Sequence, residues 1–128
     1  MTWYVDTSAL AKLVVHESQS RELVAFLGSQ GDTVLTSELG RLELMRFAHR
    51  TARVDAARAV LDRLATLRIS VEMWSRAADL LPATALRSLD ALHLACVLVT
   101  PFVSGVVTYD ARMMEAARTL GYAVASPA

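Results

Sequence analysis

The sequence predicts an α/β protein built on a central parallel sheet with helices on both faces. Short apolar, β-prone runs alternate along the chain with stretches of helical periodicity, the pattern of successive βα units. Two of those runs, Trp3-Tyr4-Val5 and Val106-Val107-Thr108-Tyr109, pass straight into an aspartate. In a parallel sheet both carboxylates emerge on the same edge. The composition, 54% apolar and 20% charged over 128 residues, suits one buried core and excludes a disordered chain. A single domain over residues 1–128 is expected, with no repeat, linker or low-complexity tract.

Taken in order, Trp3-Tyr4-Val5 is a strand, and Asp6-Thr7-Ser8 is a tight turn into a helix over 9–15 with Leu10, Leu13 and Val14 on one face. A second helix spans 20–27 and ends at Gly28, a residue suited to a C-terminal cap. Gly31-Asp32 forms a turn, and 33–36 a short strand. Ser37 caps a long helix to about Arg53, whose Leu42, Leu44, Met45 and Phe47 cover more than one face, so that it is largely buried. Asp55 opens a helix to Leu67 patterned by Ala56, Val60, Leu64 and Leu67, and the two form a helical hairpin. Alternation makes 68–71 a strand, and 73–81 a helix ending before Pro82. Ser88 opens a helix over 89–99, stopped by Thr100-Pro101. A strand over 105–109 leads to Asp110, a helix over 111–120, Gly121 and a last strand over 122–124.

Several classes drop out on composition. A net charge of zero argues against a protein coated in positive charge for gripping duplex DNA, while leaving room for a local basic patch. Lys12 is the one lysine, so the basic residues are almost all arginines, which suit bidentate phosphate contacts. A lone cysteine, Cys96, rules out an internal disulfide and reads as a small core residue. The N-terminus lacks the pattern of a signal peptide, and the most apolar stretch, 92–103, is too short to cross a bilayer. A soluble, cytoplasmic protein with no membrane contact is expected.

Asp6 at a strand's carboxyl end has two readings, an N-cap for the following helix or a ligand-binding group at the edge where open α/β sheets place their sites. The other acids decide between them. Asp110 lies at the same edge, Asp90 in the first turn of the helix opened by Ser88, and Glu43 in the helix after the second strand. Glu38 is five residues earlier and points about 140° away from Glu43, so it reads as an acid favoured at a helix N-terminus. Four facing carboxylates repel one another and favour a hard divalent cation, Mg²⁺ or Mn²⁺, bound through oxygen. Such an ion suits phosphodiester hydrolysis and needs neither histidine nor cysteine.

Four stretches in this order then resemble a known family: Val5-Asp6-Thr7-Ser8-Ala9, Arg41-Leu42-Glu43-Leu44-Met45-Arg46, Leu89-Asp90-Ala91-Leu92-His93-Leu94-Ala95 and Thr108-Tyr109-Asp110. They look like the PIN-domain ribonucleases and, more narrowly, the VapC-type toxins of toxin–antitoxin pairs, over essentially the whole chain. The resemblance implies a three-layer α/β/α sandwich and a Mg²⁺-dependent endoribonuclease, with Asp6, Glu43, Asp90 and Asp110 as metal-binding acids. Ser8 and Thr108 match the family's nearby hydroxyls, which orient a carboxylate or water. It also implies a homodimer held inactive by a small antitoxin.

Other residues divide between a site and a scaffold. His93 reads as a hydrogen-bonded core residue in preference to a ligand. Arg46 and Arg50 share the Glu43 stripe of their helix and are candidates for RNA phosphates, against a plain solvated face. Arg87 reads as an ion pair with the acids, with phosphate binding as the other role. Phe47 and Trp74 read as packing residues, Asp62 and Asp79 as surface charges. The helical hairpin over 37–67 has more apolar residues than one buried face needs, so a helical segment of the antitoxin is expected on it. An aspartyl-phosphate phosphatase would need an acid where Ser8 stands. A phosphoacceptor receiver domain would need paired acids after the first strand and a late lysine. The remaining rival is a PIN-like module that binds RNA or a partner without cutting.

Overall fold

The computed structural model describes residues 1–31 and 33–128; the Gly31-Asp32 turn lies partly outside them. The strands are β1 (Trp3–Val5), β2 (Val34–Ser37), β3 (Ala65–Leu67), β4 (Gly105–Val107) and β5 (Ala123–Ala125). They form one sheet in the order β3-β2-β1-β4-β5, every pairing parallel. The helices are α1 (Thr7–Val14), α2 (Ser20–Gln30), α3 (Glu38–Thr51), α4 (Val54–Asp62), α5 (Val71–Asp79), α6 (Ser88–Val99) and α7 (Ala111–Thr119).

The pleat sorts the strand residues into two cores. Tyr4, Leu35 and Val106 face one side, with Met73 of α5, Leu92 of α6 and Met113 of α7. Trp3, Val5, Val34 and Val107 face the other, with Leu10, Leu23, Leu44 and Leu61 of α1 to α4. Both faces of the inner strands are covered, which is why these strands read as continuous apolar runs instead of alternating ones. The result is the expected α/β/α sandwich. Gly105 pairs with Trp3 across β1 and β4, and a Cβ there would run into the Trp3 ring. The chain grows outward from β1 to β2 and β3, then returns to the other side at β4. The switch between β1 and β4 is where a doubly wound sheet opens a crevice at its carboxyl edge.

Several local expectations are corrected. The third strand is Ala65–Leu67, not 68–71; it takes the end of the expected fourth helix because Thr66 and Leu67 pair with Thr36 and Ser37 of β2. Ser70 instead caps α5, its side chain accepting from the Met73 amide at 3.2 Å. Helix α2 runs through Gly28 to Gln30, and Gly31, at φ +63°, ends it. At α6 the N-cap is Arg87, without a side-chain cap bond, and Ser88 is the first helical residue. Helix α3 is less buried than its sequence predicts, with Leu42 58% exposed, and Trp74 is 57% exposed where packing was expected. Cys96 is buried in the core, as expected.

Candidate active site

Each of the four acids stands at or just beyond the carboxyl edge of the sheet for a local reason. Asp6 leaves β1 in extended conformation and caps α1, accepting from the Ala9 amide at 3.2 Å. The same Oδ1 accepts from Ser8 Oγ at 2.7 Å, and Oδ2 accepts from Thr108 Oγ1 at 2.6 Å. Cap and site are therefore not alternatives: the cap bond is part of what holds the carboxylate in place. Asp6 is 3% exposed. Burial raises its pKa, and the hydroxyls of Thr108 and Ser8 offset only part of that.

Asp110 repeats the device after β4. Its Oδ1 caps α7 through the amides of Arg112 at 2.9 Å and Met113 at 3.0 Å. Its own amide donates to Thr108 Oγ1 at 3.1 Å, so Thr108 links Asp6 to Asp110. Ser8 ties the two turns together a second time, accepting from the Tyr109 amide at 2.9 Å.

Asp90 enters from the first turn of α6. Its Oδ2 is buried and has no hydrogen-bond partner among the described residues. The nearest cation is Arg87, whose Nε lies 3.5 Å from that oxygen and whose Nη2 lies 3.9 Å from Asp110 Oδ2. Arg87 thus spans two of the acids, as its ion-pair reading expected, and is otherwise solvent-facing.

Glu43 is tied to the same edge from α3. Its Oε1 accepts from Thr7 Oγ1 and from His93 Nε2, both at 2.6 Å. Burial raises the Glu43 pKa, but the bonds from His93 and Thr7 outweigh it and the net shift is downward. His93 is a buried, hydrogen-bonded core residue, as read. What the sequence did not disclose is its partner: an acid fifty positions away. Thr7 was also missed as a contact of Glu43; its place beside Asp6 in the turn was the available signal. Arg46 and Arg50 are exposed, and at about 1.5 Å of rise per residue Arg50 lies some 10 Å further along α3 than Glu43. Neither is ion-paired among the described residues.

These residues fit a hard cation by donor type and by one orphaned atom. The acids offer only oxygen, and Asp90 Oδ2 is a buried acceptor with no hydrogen bond among the described residues. Among the described residues, however, no three acid, histidine or cysteine side chains close on one point tightly enough to chelate an ion. Their carboxylates are engaged with local donors: Glu43 with Thr7 and His93, Asp6 with Ser8 and Thr108, Asp110 with its helix amides.

Fold and site together define the class: a doubly wound α/β protein whose acids line the carboxyl edge at the β1/β4 switch. The sequence model of the PIN domain matches residues 3–119. Ribonuclease VapC47 of Mycobacterium tuberculosis is 40% identical over 97% of this chain and 96% of its own length. Ribonuclease VapC46 of the same species is 41% identical with the same coverage. The chain belongs to the PIN-domain family, in its branch of VapC ribonuclease toxins. Among solved structures, a toxin–antitoxin complex from Klebsiella pneumoniae matches with TM-score 0.79 at 20% identity over 99% of this chain and 98% of that one. The sarcin–ricin-loop-cleaving toxin VapC20 of M. tuberculosis matches with TM-score 0.78 at 18% identity over 98% of this chain and all 100% of its own. These two share its fold. No helix among the described residues is long and apolar enough to cross a membrane.

Proposed function

We propose that this chain is a single PIN-like domain acting as a Mg²⁺-dependent endoribonuclease, with Mn²⁺ an alternative ion, and that it works in the cytoplasm as the toxin of a toxin–antitoxin pair. The observation that carries the reading is the set of acids at one sheet edge: Asp6, Asp110 and Asp90 joined through Thr108 and Arg87, and Glu43 held by Thr7 next to Asp6, with Asp90 Oδ2 buried and free of hydrogen bonds among the described residues. Asp6, Glu43, Asp90 and Asp110 are the residues that would hold the ion. Bound there, it supplies activation of water and neutralisation of the charge on a phosphodiester under attack.

The chain's own groups have distinct tasks in this reading. Ser8 and Thr108 hold the Asp6 carboxylate in one orientation, so it does not rotate when charge nearby changes. Thr7 does the same for Glu43. Arg87, within reach of Asp90 and Asp110 and otherwise in solvent, is placed to exchange those acids for an RNA phosphate, with Arg46 and Arg50 as further phosphate contacts along α3. The antitoxin is assigned to the α3–α4 hairpin, where it blocks the site. The exposed Leu42 of α3 supports an apolar segment there. A homodimer, carried by family resemblance, is tested by light scattering at micromolar concentration.

The test is cleavage of structured RNA with Mg²⁺ or Mn²⁺, against EDTA and against Asp6→Asn. Cleavage should require the ion and fall by orders of magnitude in the variant; cleavage that survives both controls sinks the proposal. The rival, a non-catalytic RNA- or partner-binding module, takes its support from the absence of any tight three-residue chelate among the described residues. It predicts RNA binding with no cleavage at any ion concentration.

A further inference from the structure

The strongest unassigned feature is a chain of hydrogen bonds running through the core to Glu43. The Gly40 amide donates to Ser37 Oγ at 3.2 Å. Ser37 Oγ is 2.7 Å from Tyr4 Oη, Tyr4 Oη is 2.6 Å from His93 Nδ1, and His93 Nε2 is 2.6 Å from Glu43 Oε1. Tyr4, Ser37 and His93 are all buried.

The carboxylate end fixes its polarity, and the Gly40 amide is compatible with it. An amide N–H only donates, and an ionised carboxylate only accepts. In the neutral imidazole, Nε2 therefore carries the proton toward Glu43, and Nδ1 accepts from the Tyr4 hydroxyl. Tyr4 in turn accepts from Ser37, which accepts from Gly40. Every donor points toward the acid. Burial and the Cys96 thiol push the Tyr4 pKa up, which keeps the hydroxyl protonated as a donor. Glu43 Oε1 takes both the His93 and Thr7 bonds, while Oε2 accepts none among the described residues.

We infer that Tyr4 and His93 are positioning residues for Glu43: Tyr4 selects the Nε2–H tautomer of His93, which pins Oε1 and leaves Oε2 for the divalent cation. The inference rests on the nuclease reading of the acids. Groups that orient a metal-binding side chain in this way are worth about 10–100-fold in metal affinity.

The test measures Mn²⁺ binding to the whole protein without RNA, by titration calorimetry, with folding checked by thermal melts. His93→Leu should weaken Mn²⁺ binding about 10–100-fold, and Tyr4→Phe about 10-fold. His93→Gln, whose amide can donate in place of Nε2–H, should recover most of the loss. RNA binding in EDTA should be unchanged in all three. Long-range proton–nitrogen NMR should show His93 as the Nε2–H tautomer alone in the wild type and as a mixture in Tyr4→Phe. Should His93→Leu fail to fold, Tyr4→Phe decides, since it deletes one oxygen and keeps the ring. Wild-type binding that Asp6→Asn abolishes but neither Tyr4→Phe nor His93→Leu alters overturns this inference alone. No Mn²⁺ binding by the wild type overturns the acid-site reading and this inference with it.

Discussion

Gly40 is where the helix carrying Glu43 packs against Thr36 of the sheet, and Gly40→Ala measures what that approach is worth. A Cβ at this position would overlap Thr36 Oγ1, with Thr36 Cβ at 3.4 Å and Leu10 Cδ1 at 3.5 Å as its other neighbours. Thr36 is fully buried and donates its hydroxyl to the Val5 carbonyl at 2.9 Å. To admit the methyl group, Thr36 must turn away from that carbonyl and leave its own buried hydroxyl without its acceptor, at about 1–3 kcal/mol. Overpacking of α1, β2 and α3 adds about 1–3 kcal/mol. Alanine's helix propensity returns at most about 1 kcal/mol. The net destabilisation is about 3 kcal/mol, or roughly 10 °C in Tm for a chain of this length. Urea and thermal denaturation followed by circular dichroism would read it. In a Thr36→Ala background the overlapping oxygen is gone and the remaining neighbours are at ordinary contact distance, so Gly40→Ala should cost far less there. A stability within about 0.5 kcal/mol of wild type, the range of an inconsequential surface change, or a cost unchanged by Thr36→Ala, would refute this account.

Two further outcomes concern the acids. Arg87→Gln removes an ion pair of long, 3.5 Å geometry whose arginine is mostly in solvent, so stability should move by no more than about 1 kcal/mol. If Arg87 reaches an RNA phosphate, the slope of log affinity against log salt should fall by about 0.7, read by filter binding in EDTA; an unchanged slope removes the residue from the interface. Asp6→Asn should be the more stable form at neutral pH in EDTA, because burial holds the Asp6 pKa above its ordinary 3.8. With the folded pKa raised, the native state holds its proton where the unfolded chain has lost it. Wild-type stability therefore falls as pH climbs from 3.8 through the folded value, and the deficit persists above it. Glu43, whose shift is downward, is present in both proteins and drops out of the difference. Denaturant midpoints across that window test this, and a pH-independent difference would refute it.

The inner strands and the acids were legible because each is marked by chemistry local to it. Trp3-Tyr4-Val5 and Val106-Val107 are apolar because both faces of the sheet are covered, and each run ends within reach of a carboxylate that caps the next helix. The misplaced third strand is the opposite case. Ala65–Leu67 lies at the sheet edge with Ala65 exposed, and Leu64 and Leu67 prolong the helical pattern of Val60. Its strand identity comes from β2, a tertiary fact that the pattern does not carry. Gly28 misled for a related reason: it sits on an exposed face where an added Cβ would meet nothing within 4 Å, and a helix tolerates glycine there. Gly31, needing positive φ, is the residue that ends the helix. Leu42 and Trp74 were read as packing on burial preferences that their helices do not follow.

What the sequence could not convey is how so many acids tolerate one another at one sheet edge. The folded chain supplies three kinds of compensation. Asp6 and Asp110 cap α1 and α7, and Asp90 lies in the first turn of α6, so three helix N-termini turn their positive ends toward the carboxylates. Arg87 lies between Asp90 and Asp110. Glu43, the one acid away from a helix terminus, instead receives the donors of Thr7 and His93. Each of the four is thus steadied by a group from another part of the chain or by its own helix, and among the described residues only Asp90 Oδ2 is left buried without a hydrogen bond. This also explains why Asp6 and Glu43 shift in opposite directions. Both are penalised by burial, but the hydroxyl donors to Asp6 do not outweigh that penalty, whereas the donors to half-buried Glu43 do. Replacing Asp6 by asparagine therefore removes a charge that burial penalises while keeping the side chain's shape.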